Sequence, residues 1–263
     1  MISVRTVISF FCAILLVGLA MGCLKPIKDC LDIRATNFRA DADENCCCTW
    51  PMLELSVSHQ MSELVHSPQD TYANIFGQSY RLLNAVVILS DFQLHFADGA
   101  IVTVFDSLLL IKEDGTSLRI TNDIIVVDRD KSSITIGSFL ASGQLDSISF
   151  LVGLPGQISA WSPDYFPENH PLQTTVKDLW DVTTGYITVQ TEHIPIPGMD
   201  TIRWTTNVSN RVTLPSDQYI SVGSSFELGL KIDYSQWFYN QQVSDLVFQP
   251  DLNWPIHIST SFK

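Results

Sequence analysis

From Met52 onward, apolar and polar residues alternate with a period of two, and turn residues interrupt the alternation at short intervals. In "MLELSVSH", Leu53, Leu55 and Val57 alternate with Glu54, Ser56 and Ser58, which predicts a half-buried strand. "LSDFQLHF" repeats the pattern, with Phe92, Leu94 and Phe96 set against Asp91, Gln93 and His95. The Asp-Gly pairs in "ADGA" and "EDGT", and the polar run "DRDKSS", supply turn chemistry between strands. Further strands are predicted near 101–111, 118–127, 134–139, 145–152, 185–191, 201–208, 218–222, 225–232 and 256–262. Only "YSQWFYNQQ" reads as a short helix. Many short strands without amphipathic helices predict an all-β fold, an antiparallel β-sandwich-like domain.

One segment departs from this rhythm. Residues 155–184 carry Pro155, Gly156, Pro163, Pro167 and Pro171 together with Trp161, Tyr165, Phe166, His170 and Trp180. A connection of this length in a compact domain is usually functional or disordered, and its aromatic content argues against disorder. This long aromatic, Pro-rich loop is therefore where a site is expected.

The opening stretch "MISVRTVISFFCAILLVGLAMGC" has a different character. Arg5 forms a short positive region, an apolar run reaches Met21, and small residues close it. Residues 1–22 thus read as a secretory signal, too short to span a bilayer comfortably. Cys23 after "LAMG" resembles a bacterial lipobox, with Ala20 where Leu is usual, so Cys23 is the expected lipidation point. The predicted organisation is a signal at 1–22, a lipid-anchored Cys-rich segment at 23–51 and the β-domain at 52–263. The expected location is the cell envelope, either periplasmic or lipid-anchored to the outer membrane.

Export implies an oxidising setting, where Cys30, Cys46, Cys47 and Cys48 are disulfide candidates. A bridge between sequence neighbours closes a strained ring, so Cys30 is expected to pair with one of the triplet. The other two then form a vicinal disulfide or a free pair. The stretch "CLDIRATNFRADADENCCCTWP" resembles small cysteine-bounded modules of exported bacterial proteins, through Cys30, Asp32, Ala35, Asn37, Phe38, Ala42 and Cys46. Its acidic side chains are candidate oxygen ligands for calcium. The plainer reading is a disulfide-pinned spacer between lipid and domain.

Charge narrows the function classes. The net charge is −13, with 15 Lys and Arg spread thinly, so there is no basic stripe for nucleic acid. With 46% hydrophobic and 16% charged residues, the composition is that of a globular chain with a real core. Strand parity sorts the six histidines. His95 and His257 fall on polar faces, and His66 lies in a turn before Ser67-Pro68. His59 continues the inward series Leu53, Leu55, Val57, and His193 continues Ile187, Val189, Thr191. His170 sits in the one loop long enough to cover a sheet rim. Imidazole suits copper or zinc at neutral pH, which makes His59, His170 and His193 the candidate metal ligands. Without HExxH or paired Cys/His spacing, a rim histidine is more often a hydrogen-bonded structural residue than a ligand. There is no G-x-S-x-G elbow and no carboxylate placed as a general base, so an enzyme is not expected.

The order of several segments resembles the MbnP-like family of exported β-rich proteins. It is carried by "LELSVSH", "YANIFGQSYRL", "VVILSDFQLHFADG", "ITIGSFLASGQLDSISFLVGLP", "ENHPL", "DLWDVTTGY" and "FELGLKIDYSQWF". The resemblance runs from about Met52 to Asp233. It implies a copper-binding accessory protein associated with methanobactin genes, working beside a di-haem cytochrome c peroxidase-like partner. By position, His59 and His170 match family histidines, and Trp180 matches a tryptophan that such a partner can oxidise. The family's later aromatic-His segment is replaced here by "IRWTTNVSN", which has no histidine, so His193 is the expected substitute. The competing reading is a surface lipoprotein that recognises glycan or protein through Trp161, Tyr165 and Phe166.

Overall fold

The computed structural model describes residues 25–174, 179–207 and 209–244, together with the backbone of 258–260. The predicted signal at 1–22, Cys23 and His257 lie outside the described residues. The main strands are β1 (Met52–Met61), β2 (Ser79–Phe96), β3 (Ser107–Ile111), β4 (Ser117–Thr121), β5 (Ile125–Asp128) and β6 (Ser133–Ser138). They continue as β7 (Gly143–Val152), β8 (Val189–Ile196), β9 (Ile202–Thr206), β10 (Asn210–Pro215), β11 (Phe226–Asp233) and β12 (Ile258–Thr260). The larger sheet runs β9-β8-β2-β7-β10, with β5 also paired to β2; the smaller runs β6-β1-β11-β12. The fold is all-β and sandwich-like, as predicted. Within it β1 and β11 run parallel, Leu53 opposite Phe226 through Gln60 opposite Asp233. The predicted helix in "YSQWFYNQQ" is one turn, Ser235–Phe238.

Strand β2 is the spine. It pairs with β8 along 79–87 and with β7 along 89–96. Tyr80, Leu82, Ala85, Val87, Leu89, Phe92, Leu94 and Phe96 all face the inter-sheet core. That series changes parity twice, from even to odd after Leu82 and back to even after Leu89. Each change coincides with a register shift, one against β8 and one against β7. An extra residue in a strand turns the following side chains to the opposite face, so each bulge restores the core face. The second bulge has Asp91 in the left-handed region at φ 53°. The buried Asp123 carboxylate accepts the Phe92 N–H at 2.8 Å and also takes the Asp91 N–H, and Arg211 pairs with the Asp91 side chain.

The other face of β2 is also buried. Val86 and Ile88 join Val126 of β5, Leu110 of β3 and Ile120 of β4 in a second apolar cluster. Leu154, Ile158, Trp161, Phe166, Leu172 and Tyr186 complete it. The long loop therefore forms a third layer. It is organised by short turns at Gly156–Ser159, Pro163–Tyr165 and Pro171–Thr174.

Replacing Asp123 by Ala removes the acceptor for two buried N–H groups at the bulge. The expected loss is about 2–4 kcal/mol of unfolding free energy in urea titration, against a smaller loss for Asp123→Asn. A loss no larger than that of an average surface substitution would mean that the bulge does not depend on Asp123.

Candidate metal centre

His59 ends the inward series of β1 as expected, half-buried at one pole of the sandwich. Its Nε2–H donates to the Lys131 carbonyl at 2.9 Å, and its Nδ1 accepts from the Tyr234 hydroxyl at 2.7 Å. A carbonyl only accepts, and this fixes the tautomer. His193 is fully buried in β8, with ring centroids 4.3 Å from Trp204 and 5.0 Å from Phe238. Its Nε2–H donates to the Val243 carbonyl at 2.8 Å, leaving a buried Nδ1 lone pair without a hydrogen-bond partner. Burial lowers its pKa, and the bond to Val243 acts in the opposite direction.

His66, read from the sequence as an ordinary turn residue, belongs to the same pole. Gln60 pairs with Val65 across a tight hairpin, and the His66 N–H donates to the His59 carbonyl at 2.9 Å. Its ring lies 5.5 Å from Tyr234 and 6.0 Å from Tyr72, and its Nε2–H donates to the Leu82 carbonyl at 3.1 Å. Burial lowers its pKa as well. The sequence signal for this placement is the hairpin itself, which folds His66 back beside the end of β1.

His170 lies elsewhere, on the second cluster. Its Nδ1 accepts the Leu172 N–H at 3.2 Å and caps the Pro171–Thr174 turn. The proton therefore sits on Nε2, which is buried with no partner. The ring packs 4.6 Å from Phe166 and lines a cavity of about 330 Å³ with Asn122, Ile124, Lys131 and Thr135. Desolvation alone lowers its pKa to about 4, so it is neutral at physiological pH.

These positions test the copper expectation. No three His, Cys, Asp or Glu side chains converge as a metal-binding group among the described residues. His170 could ligate through Nε2 only by moving its proton to Nδ1, which would oppose that N–H to the Leu172 N–H. The set His59, His170 and His193 therefore does not fit one shared ion as arranged. The structure places His59 with His66 and His193 around one aromatic pole, and His170 in a different cluster.

Trp180 also stands apart from the histidine pole. It pairs with Tyr186 across a hairpin, half-buried, and its Nε1 and the Tyr186 hydroxyl are buried without partners. Gly185 closes that hairpin at φ 75°, where an added Cβ would lie 2.9 Å from the Ser159 carbonyl. Only glycine fits both the conformation and the approach. Of the three loop rings offered for recognition, only Tyr165 is half-buried rather than buried. Trp161 and Phe166 are buried, and the Lys112 Nζ covers the Trp161 ring at 4.6 Å. Burying these rings against Val86 and Ile88 outweighs exposing them, since each is worth roughly 1.5–3 kcal/mol.

In the N-terminal segment Cys30 bonds to Cys48, while Cys46 and Cys47 are free. The acids expected to hold calcium are already engaged. Asp32 pairs with Arg34, Asp41 with Arg39 and Glu44 with Lys28. Asp29 accepts from the Cys30 N–H and the Asn37 amide, and Asp43 from the Ile27 N–H. Their oxygens point to separate partners and form no cage.

The lowered pKa of His170 predicts a pH dependence of stability. Between 6.5 and about 4 the unfolded chain binds a proton at this position and the folded chain does not. Stability then falls on acidification through that window, by up to about 3 kcal/mol from this group, and is flat above it. Asp123, raised by burial to about 6, acts in the opposite sense between 3.8 and 6, so the difference between variants isolates His170. In His170→Asn the side-chain oxygen can still accept the Leu172 N–H. Urea midpoints measured from pH 4 to 8 should show a smaller acid-side loss in this variant than in the parent. Parallel curves would remove the assignment.

The MbnP family model matches residues 51–254. The solved structure of MbnP from Methylosinus trichosporium is similar at a TM-score of 0.49 and 13% identity, over 74% of this chain and 79% of that one. No curated protein sequence matches the chain. The family match spans the two sheets and the loop layer, and on that ground the protein belongs to the MbnP family.

Proposed function

We propose that the protein is an exported, non-catalytic accessory protein that holds copper at the pole of His59, His66 and His193, whose imidazoles do not converge on one point as arranged and must turn toward the ion to bind it. Family membership over residues 51–254 supports an association with methanobactin and copper and a place in the cell envelope. The observation that carries the choice of pole is shared by three side chains. His59, His66 and His193 each donate Nε2–H to a backbone carbonyl, from Lys131, Leu82 and Val243 respectively. That outer contact fixes the ring and leaves Nδ1 as the ligand-capable nitrogen, the usual arrangement behind metal-bound imidazole. Of these nitrogens, His193 Nδ1 has no competing partner, whereas His59 Nδ1 must release the Tyr234 hydroxyl. His170 serves the loop layer in this reading and is left out of the ligand set.

The proposal extends to the chain's surroundings. A lipid at Cys23 anchors it, and a di-haem cytochrome c peroxidase-like protein is its partner. Trp180 is the residue offered for oxidation, through an indole edge that lines a hollow of about 430 Å³ with Tyr165, Val182 and Thr183.

Copper titration of the mature chain, with Cys46 and Cys47 first alkylated so that thiols cannot bind the ion, tests this reading. The expected result is one equivalent of copper with nitrogen hyperfine structure in its EPR spectrum. The double variant His59→Ala/His193→Ala should bind at least about tenfold more weakly, while His170→Ala stays within about threefold of the parent. Loss of copper in His170→Ala with retention in the double variant would move the centre to the loop layer.

A further inference from the structure

Cys46 and Cys47 take no part in the metal centre or the core, yet their arrangement is specific. Their sulfurs lie 2.6 Å apart, inside the contact distance of two non-bonded sulfurs. Cys47 is held in the left-handed region at φ 57°, a conformation that non-glycine residues adopt at a cost. Neighbouring hydrogen bonds clamp the pair from both sides. The Cys46 N–H donates to the Asp29 carbonyl at 3.0 Å, and the Asn37 amide donates to the Cys47 carbonyl at 2.9 Å. The Thr49 N–H then donates to the Asn37 Oδ1 at 2.8 Å.

This geometry decides between the two things that adjacent thiols can do. Two thiolates on one zinc-like ion, at about 2.3 Å each in a tetrahedron, stand about 3.8 Å apart. A linear two-sulfur site needs them farther apart still. The observed separation suits a bond between the sulfurs, not a shared metal. Exposure points the same way, because Cys47 is open to solvent while Cys30 of the existing disulfide is fully buried. The hydrogen bond from the neighbouring Cys47 thiol raises the pKa of Cys46. Cys47, as the more open of the two, is the first to exchange.

We propose that Cys46 and Cys47 form a thiol–disulfide redox site in the segment between the export signal and the β-domain, cycling between a free pair and a vicinal disulfide. The oxidant is a small-molecule or protein disulfide. The Cys47 thiolate attacks one sulfur of that disulfide, forming a mixed disulfide and releasing one thiolate. The Cys46 thiolate then attacks the Cys47 sulfur, which closes the Cys46–Cys47 bond and expels the second thiolate. Two electrons pass to the oxidant, and the two protons of the pair leave with the two released thiols. A dithiol reverses the sequence. The clamping bonds at Asp29, Asn37 and Thr49 involve no cysteine sulfur, so the exchange does not consume them.

Oxidised glutathione, added to the full mature chain and followed by acid quenching, denaturation, maleimide blocking and peptide mass mapping, tests this. The expected product has lost two maleimide-reactive thiols. It carries a Cys46–Cys47 link within one peptide, retains no glutathione and keeps Cys30–Cys48. Dithiothreitol at low concentration should restore both thiols while Cys30–Cys48 stays intact. In Cys46→Ser the second attack is impossible, so glutathione should remain on Cys47. Persistent glutathione on Cys47 of the parent chain would overturn the proposal. So would two maleimides at Cys46 and Cys47 after oxidation, or a Cys30 link to Cys46 or Cys47.

Discussion

Burial of both faces of β2 is the constraint on which the rest of this MbnP-family structure depends. Ala85, Val87 and Leu89 must reach the inter-sheet core while Val86 and Ile88 point the opposite way, into the second cluster. A two-sheet sandwich covers only one of these faces. The other face needs a third layer, and the β3–β4 hairpin and the 155–184 loop provide it. The loop's prolines and short turns let it follow the sheet surface closely, with Trp161, Phe166 and Leu172 aimed inward. Its length and aromatic content are thus consequences of covering a sheet face as much as of holding any ligand.

The same strand also organises the histidine pole. The first bulge of β2, opposite Glu192 and His193, keeps Tyr80 and Leu82 on the core side. Tyr80 then stacks on Phe238 at 4.2 Å, and Phe238 in turn lies against His193 and Trp204. From the facing sheet, the parallel pairing of β1 with β11 sets Ile232 opposite His59 and delivers Tyr234 to the His59 ring. Imidazoles from three segments therefore meet one aromatic cluster, with each Nε2–H directed at a carbonyl. Burial lowers the pKa of His66 and His193 there.

His170 illustrates how residue type and loop position can mislead. A histidine between Asn169 and Pro171 in a long aromatic loop has the sequence profile of a ligand. Its Nδ1 instead substitutes for a capping side chain at the Pro171–Thr174 turn, and its ring fills space beside Phe166. Desolvation in that position keeps it neutral. Proximity along the chain to Trp180 does not bring it into the aromatic cluster of His59 and His193, because its ring packs on Phe166 of the second apolar cluster.

Alternation of apolar and polar residues was enough to determine the class of fold, most of the short strands and the inward parity of His59 and His193. Those are local properties: a period of two and the identity of turn residues do not depend on what the strand packs against. The first half of β2 was not legible, because a strand buried on both faces loses the alternation that marks one. Strand β10 was missed as well, since its polar stretch gains its order by pairing with β7. Cysteine chemistry limited the partners of Cys30 to the triplet, and the tertiary fold selected Cys48. Which histidines share a pole, and which ring nitrogen each presents, was decided only in three dimensions. Bulges, a hairpin and distant carbonyls set those relationships, and no spacing along the chain encodes them.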